Sequence, residues 1–139
     1  MPDLDFEPTR GFWRAAQREE LAIPRCDGCG AFVWYPAPRC PHCDGDTLAW
    51  SRVSGEATLF SFAVVRRALF RAFAEKAPYL TGLVALREDP RVRLVTTLVD
   101  CLPEDLRLDM PVQLVFRPLE FAGVEERLLA PMFRPLQQP

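Results

Sequence analysis

A chain of 139 residues with 49% apolar and 26% charged residues has the length and balance of one globular domain carrying a small appendage. No apolar run approaches the roughly 18 residues of a membrane span, and the acidic Met1–Glu7 lacks the basic start and apolar stretch of a signal peptide, so the cytoplasm is the expected compartment. A formal charge of -2 gives no global attraction to nucleic acid or anionic lipid, and the sixteen arginines, beside the single lysine Lys76, are scattered among acids.

In chain order, Thr9 to about Leu21 sets Phe12, Trp13, Ala16 and Glu20 at helical spacing behind a capping threonine, with Pro24 as the stop. Residues 25–50 lose periodicity and fill with cysteine, glycine, proline and aromatics, a segment that needs an internal staple. From Ser54 onward the pattern is that of strands. Glu56–Arg66 alternates, putting Thr58, Phe60, Phe62 and Val64 on one face against Leu59, Ser61 and Ala63. Ala68–Ala77 spaces Leu69, Phe70 and Phe73 as a helix ahead of Pro78. Tyr79–Arg87 and Val92–Asp100 read as a hairpin across the turn Glu88-Asp89-Pro90-Arg91. Pro103–Leu108 suits one turn, Val112–Arg117 alternates after Pro111, and Leu128–Phe133 is a last strand before a proline-rich tail. Four or five strands with a short helical insertion predict a small closed barrel of the OB type; a β-sandwich needs more strands.

The sharpest chemical signal is Cys26-x-x-Cys29 followed by Cys40-x-x-Cys43. Each C-x-x-C bends the chain so that two thiolates converge, with Gly28 and Gly30 freeing the first turn and Pro41 stiffening the second. Two such knuckles supply four sulfurs in a tetrahedron, which suits one structural zinc per chain; iron in a rubredoxin-like site uses the same ligand set. Disulfides are disfavoured in the cytoplasm, and a redox pair needs one C-x-x-C beside a βαβ unit, which the pattern lacks. Four thiolates close the coordination sphere, so the expected role of the metal is to hold the finger Phe32-Val33-Trp34-Tyr35 in one pose.

Catalytic constellations are sparse. The only histidine, His42, lies inside the second knuckle, so serine and cysteine nucleophiles have no free base. Cys101, the spare thiol, reads as a structural cysteine. The glycines form no phosphate loop, and the carboxylate pairs Glu19-Glu20, Glu88-Asp89, Glu104-Asp105 and Glu125-Glu126 suit solvated turns and faces.

The cysteine set with Tyr35-Pro36 and Pro38-Arg39-Cys40-Pro41, then Ser54–Phe62, Pro78-Tyr79-Leu80, Asp109-Met110-Pro111-Val112 and Pro131–Pro135, resembles in order the DUF35 family of zinc-ribbon OB-fold proteins, from about Phe12 to Pro135. The resemblance implies a mainly β fold: an N-terminal helical segment over 1–22, a rubredoxin-like zinc ribbon over 23–50 and a C-terminal OB-fold barrel with its tail over 51–139. It also implies a non-catalytic accessory subunit that binds coenzyme A thioesters or docks beside enzymes that do. Those enzymes are thiolase-like acyltransferases, retro-aldolases of steroid side-chain breakdown and MaoC-like hydratases.

An adenosine diphosphate moiety wants arginine, and Arg66, Arg67 and Arg134 are the candidates, with plain solvent-exposed arginines as the alternative. Trp34, Tyr35, Phe70 and Phe73 are candidates for an apolar docking face, although Phe70 and Phe73 equally suit a core-facing helix stripe. The rival function is an OB-fold module for single-stranded nucleic acid, which would need a basic groove interleaved with aromatics. A lone acyl-CoA enzyme would need a general base.

Overall fold

The computed structural model of the chain describes residues 1–67, 76–121 and 123–136. A 3-10 turn at Glu7–Thr9 leads into helix α1, Arg10–Gln17, whose Phe12, Ala15 and Ala16 are buried. The helix is shorter than its periodicity predicts, and the Thr9 side chain makes no capping bond. Glu19 adopts φ 57°, and the amides of Glu19 and Glu20 turn back to the carbonyls of Ala16 and Ala15 at 2.9 and 3.0 Å, closing the helix before Pro24 is reached. Pro24 lies instead in strand β1, Leu21–Cys26, paired antiparallel with β2, Leu48–Val53. Its carbonyl accepts from Val33 N–H at 2.8 Å on the side away from β2, so the missing N–H costs the ladder nothing. Neither β1 nor β2 shows in the sequence pattern.

Five further strands follow: β3, Glu56–Val65; β4, Tyr79–Leu86; β5, Arg93–Leu98; β6, Pro111–Leu119; and β7, Leu128–Pro135. They close into a barrel in the order β3-β4-β5-β7-β6, with β5 and β7 parallel and the other pairs antiparallel, which is the OB arrangement. The expected β4–β5 hairpin and the Pro111 strand entrance are both present, and Pro103–Asp105 forms the single turn. The helix expected over Ala68–Ala77, with Phe70 and Phe73, lies mostly outside the described residues.

The strict alternation predicted for β3 is broken. A bulge between Leu59 and Ser61 inserts Phe60 as an extra residue, so Leu59 points inward before it, and Phe62 and Val64 pack on the core after it. Phe60 is thrown outward, where the Arg93 guanidinium lies 3.8 Å from its ring centroid.

The main apolar core joins the barrel to α1 and β1, and a second, smaller one lies inside the ribbon around Cys26, Val33 and Cys40. Leu59, Val84, Leu86, Leu94, Leu98, Val112 and Phe133 fill the barrel and are continuous with Phe12 of α1 and Leu21 and Ile23 of β1. Barrel closure is thin at one seam. The only β5–β7 register pair is Leu98 with Phe133, reinforced by Val99 N–H to the Phe133 carbonyl at 2.9 Å. Two residues earlier on the same edge of β7 stands Pro131, which has no N–H to continue the ladder. At the next edge position, Leu129, the Gln17 side-chain amide replaces a strand, accepting from Leu129 N–H at 2.9 Å and donating to its carbonyl at 3.0 Å. Helix α1 is thereby pinned where β5 departs. Among the described residues no helix is long and apolar enough to cross a membrane.

Candidate metal centre and docking groove

The two knuckles are brought together by different means. Cys26 ends β1, so the sheet fixes it, and Gly30 N–H closes the first knuckle onto the Cys26 carbonyl at 2.9 Å with φ 77° at Gly30. The second knuckle closes through Asp44 N–H to the Cys40 carbonyl at 2.8 Å. Cys26 and Cys40 are buried beside Val33, while Cys29 and Cys43 are exposed. All four sulfurs lie within 4.8 Å of one another, with Cys26–Cys43 at 3.5 Å and Cys29–Cys40 at 3.7 Å. A tetrahedron with zinc–sulfur bonds near 2.3 Å has edges of about 3.8 Å, close to these two separations, so the quartet fits zinc.

Its surroundings fit too. A Cβ on Gly45 would come within 3.2 and 3.3 Å of the Cys43 and Cys26 sulfurs, and the His42 backbone N–H reaches Cys40 Sγ at 3.4 Å. Four thiols this close divide their protons unequally. The Cys29 backbone N–H, with smaller help from Gly28 and Cys43, lowers Cys26 to about 7. The Gly45 N–H acts to lower Cys43, yet the thiols of Cys26 and Cys29 together with desolvation push it up to about 12. All four can be thiolate at once only around a cation. Zinc bound there would supply a fixed cross-link, with no coordination position left for water or substrate.

Across from the knuckles, the finger carries its aromatics to helix α1. Phe12 packs edge-on against Trp13 at 5.1 Å between centroids and meets Trp34 at 5.0 Å, and Trp34 meets Tyr35 at 5.5 Å. Trp34 is half-buried against the core, while Tyr35 is 58% exposed. Between this aromatic row and the open seam of the barrel lies a groove of about 490 Å³, lined by Phe6, Trp13, Tyr35, Val95, Pro131 and Phe133 among others. Val95, on β5, is 77% exposed. No segment of the sequence marks this groove, because its walls come from the N-terminus, the finger, β5 and β7.

The remaining candidates fall elsewhere. Arg66 and Arg67 are exposed just beyond β3, at the barrel end opposite the β4–β5 turn, and have no ion-pair partner among the described residues. Arg134 is already engaged: it lies 3.4 Å from Asp100, which also pairs with Arg117 at 2.8 Å, and it donates to the Gln113 amide oxygen at 2.9 and 3.0 Å once that amide is oriented to satisfy both groups. Phe70 and Phe73 lie outside the described residues. Burial, with the nearby Asp105 and Asp100 carboxylates, holds the Cys101 thiol above its usual value, as befits an unreactive cysteine.

A helix, a four-cysteine ribbon and a closed five-stranded barrel, in that order, define a zinc-ribbon OB-fold protein. Residues 13–49 match the family model described as the ChsH2 rubredoxin-like zinc ribbon domain, and residues 50–117 match that described as the ChsH2 C-terminal OB-fold domain. A DUF35 domain-containing scaffold protein of Methanocaldococcus jannaschii is 34% identical over 80% of this chain and 78% of its own length. The chain belongs to the DUF35 family. It is also 35% identical, over 89% of its length, to a probable enoyl-CoA hydratase alpha subunit of Thermomonospora curvata, but spans only 36% of that protein. Among solved structures, a chain of the Ltp2-ChsH2(DUF35) aldolase superposes with a TM-score of 0.80 at 31% identity, covering 96% of this chain and 98% of that one.

Proposed function

We propose that this chain is a non-catalytic docking subunit of the cytoplasm that assembles with a thiolase-like enzyme acting on coenzyme A thioesters. The observation that carries the reading is the groove, an apolar surface that the barrel seam, α1 and the zinc-held finger build jointly. The full-length likeness to a chain of an aldolase named for two components supports an assembly, and the enoyl-CoA hydratase name of another relative supports acyl-CoA chemistry, with a MaoC-like hydratase as a second partner. In this reading the finger and groove face the partner, the ribbon metal is purely mechanical, and Arg66 and Arg67 are the contacts offered to the nucleotide phosphates of an acyl-CoA.

Nucleic-acid binding fits less well, because most described arginines are neutralised locally, as in Arg14–Asp5, Arg39–Asp44, Arg87–Glu56 and Arg127–Glu120. Co-expression with a thiolase-like partner tests the proposal. The parent chain is expected to co-purify, and Tyr35→Ser combined with Val95→Asp is expected to weaken the complex by about 30-fold or more, the loss of one interfacial anchor. Undiminished co-purification of the double variant would refute the docking face. A salt-sensitive shift with single-stranded oligonucleotides would favour the rival.

A further inference from the structure

The open seam beside the groove leaves backbone groups of β5 uncovered. Along a strand, successive residues turn their N–H and C=O to opposite edges. The Val92 and Thr96 carbonyls face β4, accepting from Leu86 N–H at 3.1 Å and from Thr81 Oγ1 at 3.2 Å, while Val99 N–H turns to β7. Arg93, Val95 and Thr97 therefore present their backbone groups on the β7 side. Yet β7 pairs with that edge only at Phe133. Two residues back it places Pro131, which has no N–H to offer the Val95 carbonyl. At Leu129, the next residue on that edge, both backbone groups are already taken by the Gln17 side chain, at 2.9 and 3.0 Å. Among the described residues no strand pairs with β5 at Arg93–Val95 on this side.

What this edge wants is set by its partial charges. Carbonyl oxygens and amide hydrogens alternate along it, and an extended backbone presents the opposite charges in the same alternation. The groove supplies the other half of a strand-binding site. Trp13, Tyr35 and Phe133 line it together with Val95, so they border the free edge. A strand added there points every second side chain the same way, about 7 Å apart, and those facing inward enter the groove. The outward ones lie beside the exposed Val95 side chain, as cross-strand neighbours do.

We propose that the free edge of β5 at Arg93–Val95 takes an extended segment of the partner protein as an added strand, with apolar side chains at alternate positions seated in the groove. The backbone edge provides the hydrogen bonds, and the groove selects the side chains. The inference rests on the docking reading above, because it names what fills that groove.

The test uses the full zinc-loaded chain with the thiolase-like partner. On complex formation the Val95 amide should exchange with solvent at least about ten-fold more slowly, as an amide that has gained a bond does. The Leu94 and Thr96 amides, which already face β4, should change little. Val95→Pro removes the N–H from the free edge without touching a bond to β4, and is expected to weaken the complex about ten-fold. Val95→Thr, which keeps both the N–H and the shape, should stay close to the parent. A parent chain that forms no complex overturns the docking reading and this inference together. The inference alone is overturned if the complex forms but leaves the Val95 amide unprotected, or if Val95→Pro binds as tightly as Val95→Thr. A dimer of the chain by itself that protects the same amide also overturns it, because the occupant is then a second copy. Should Val95→Pro fail to fold, amide exchange on the parent still decides.

Discussion

Replacing Cys40 with serine is expected to abolish stoichiometric zinc, taking metal content from about one per chain to near zero, and to unfold the ribbon. The reason is the small size of the ribbon's own core. Cys26, Val33 and Cys40 are its buried residues, with Ala37 and Leu48 packed against them, and two of the three buried side chains are metal ligands. Apparent binding energies of structural zinc in small ribbons are on the order of 10 kcal/mol, more than so few side chains contribute by burial. Elemental analysis of the purified variant reads the first effect. Amide exchange reads the second: the amides of Gly30 and Asp44, each bonded to a cysteine carbonyl, should lose protection, while those of β3–β7 keep theirs. Full zinc occupancy with unchanged protection would mean that three thiolates suffice and that the closed tetrahedron is not what holds the finger.

Phe133→Ala is expected to destabilise the barrel by about 3–5 kcal/mol, out of a total stability on the order of 5–15 kcal/mol. Phe133 is 1% exposed and sits at the single β5–β7 register pair, so truncation opens a cavity beside the thinnest part of the closure. A drop in the urea midpoint at unchanged slope is the measurement. A loss below about 1 kcal/mol would show that the seam collapses around the gap, which a core this continuous does not allow.

The four-cysteine centre was legible because its information is local: three-residue spacing fixes where each thiolate goes. The hairpin and β6 were legible because period-two alternation survives in strands with one buried face. What escaped the sequence was geometry set at a distance or by a single slip. The outward turn of Phe60 depends on one inserted residue, which alternation alone does not encode. Helix α1 ends at a Schellman-type turn with glutamate, not glycine, in the left-handed conformation, so the usual stop signal is missing. Pro24 reads as a helix stop but occupies a strand edge where no N–H is needed. Gln17 completes the edge of β7 across 112 positions of sequence, and no local pattern announces such a pairing. Arg134 carries no sequence mark of its engagement with Asp100, and only the fold shows that its charge is already taken.

The same distinction explains why the sequence read Tyr35 as an interface residue without locating the groove it borders. A finger of four residues is too small to bury two large aromatics, which is a local argument. The opposing wall requires Pro131 to halt the β5–β7 ladder and Val95 to stand exposed beside it. Both depend on barrel topology.

The most direct test of the whole account is light scattering on a size-exclusion column. The thiolase-like partner is mixed with the zinc-loaded chain, and separately with the same chain stripped of zinc by chelation. A complex is expected with the loaded chain and separate species with the stripped one, because in the proposed function the metal holds the finger that meets the partner. Coelution in both cases, or in neither, would contradict it.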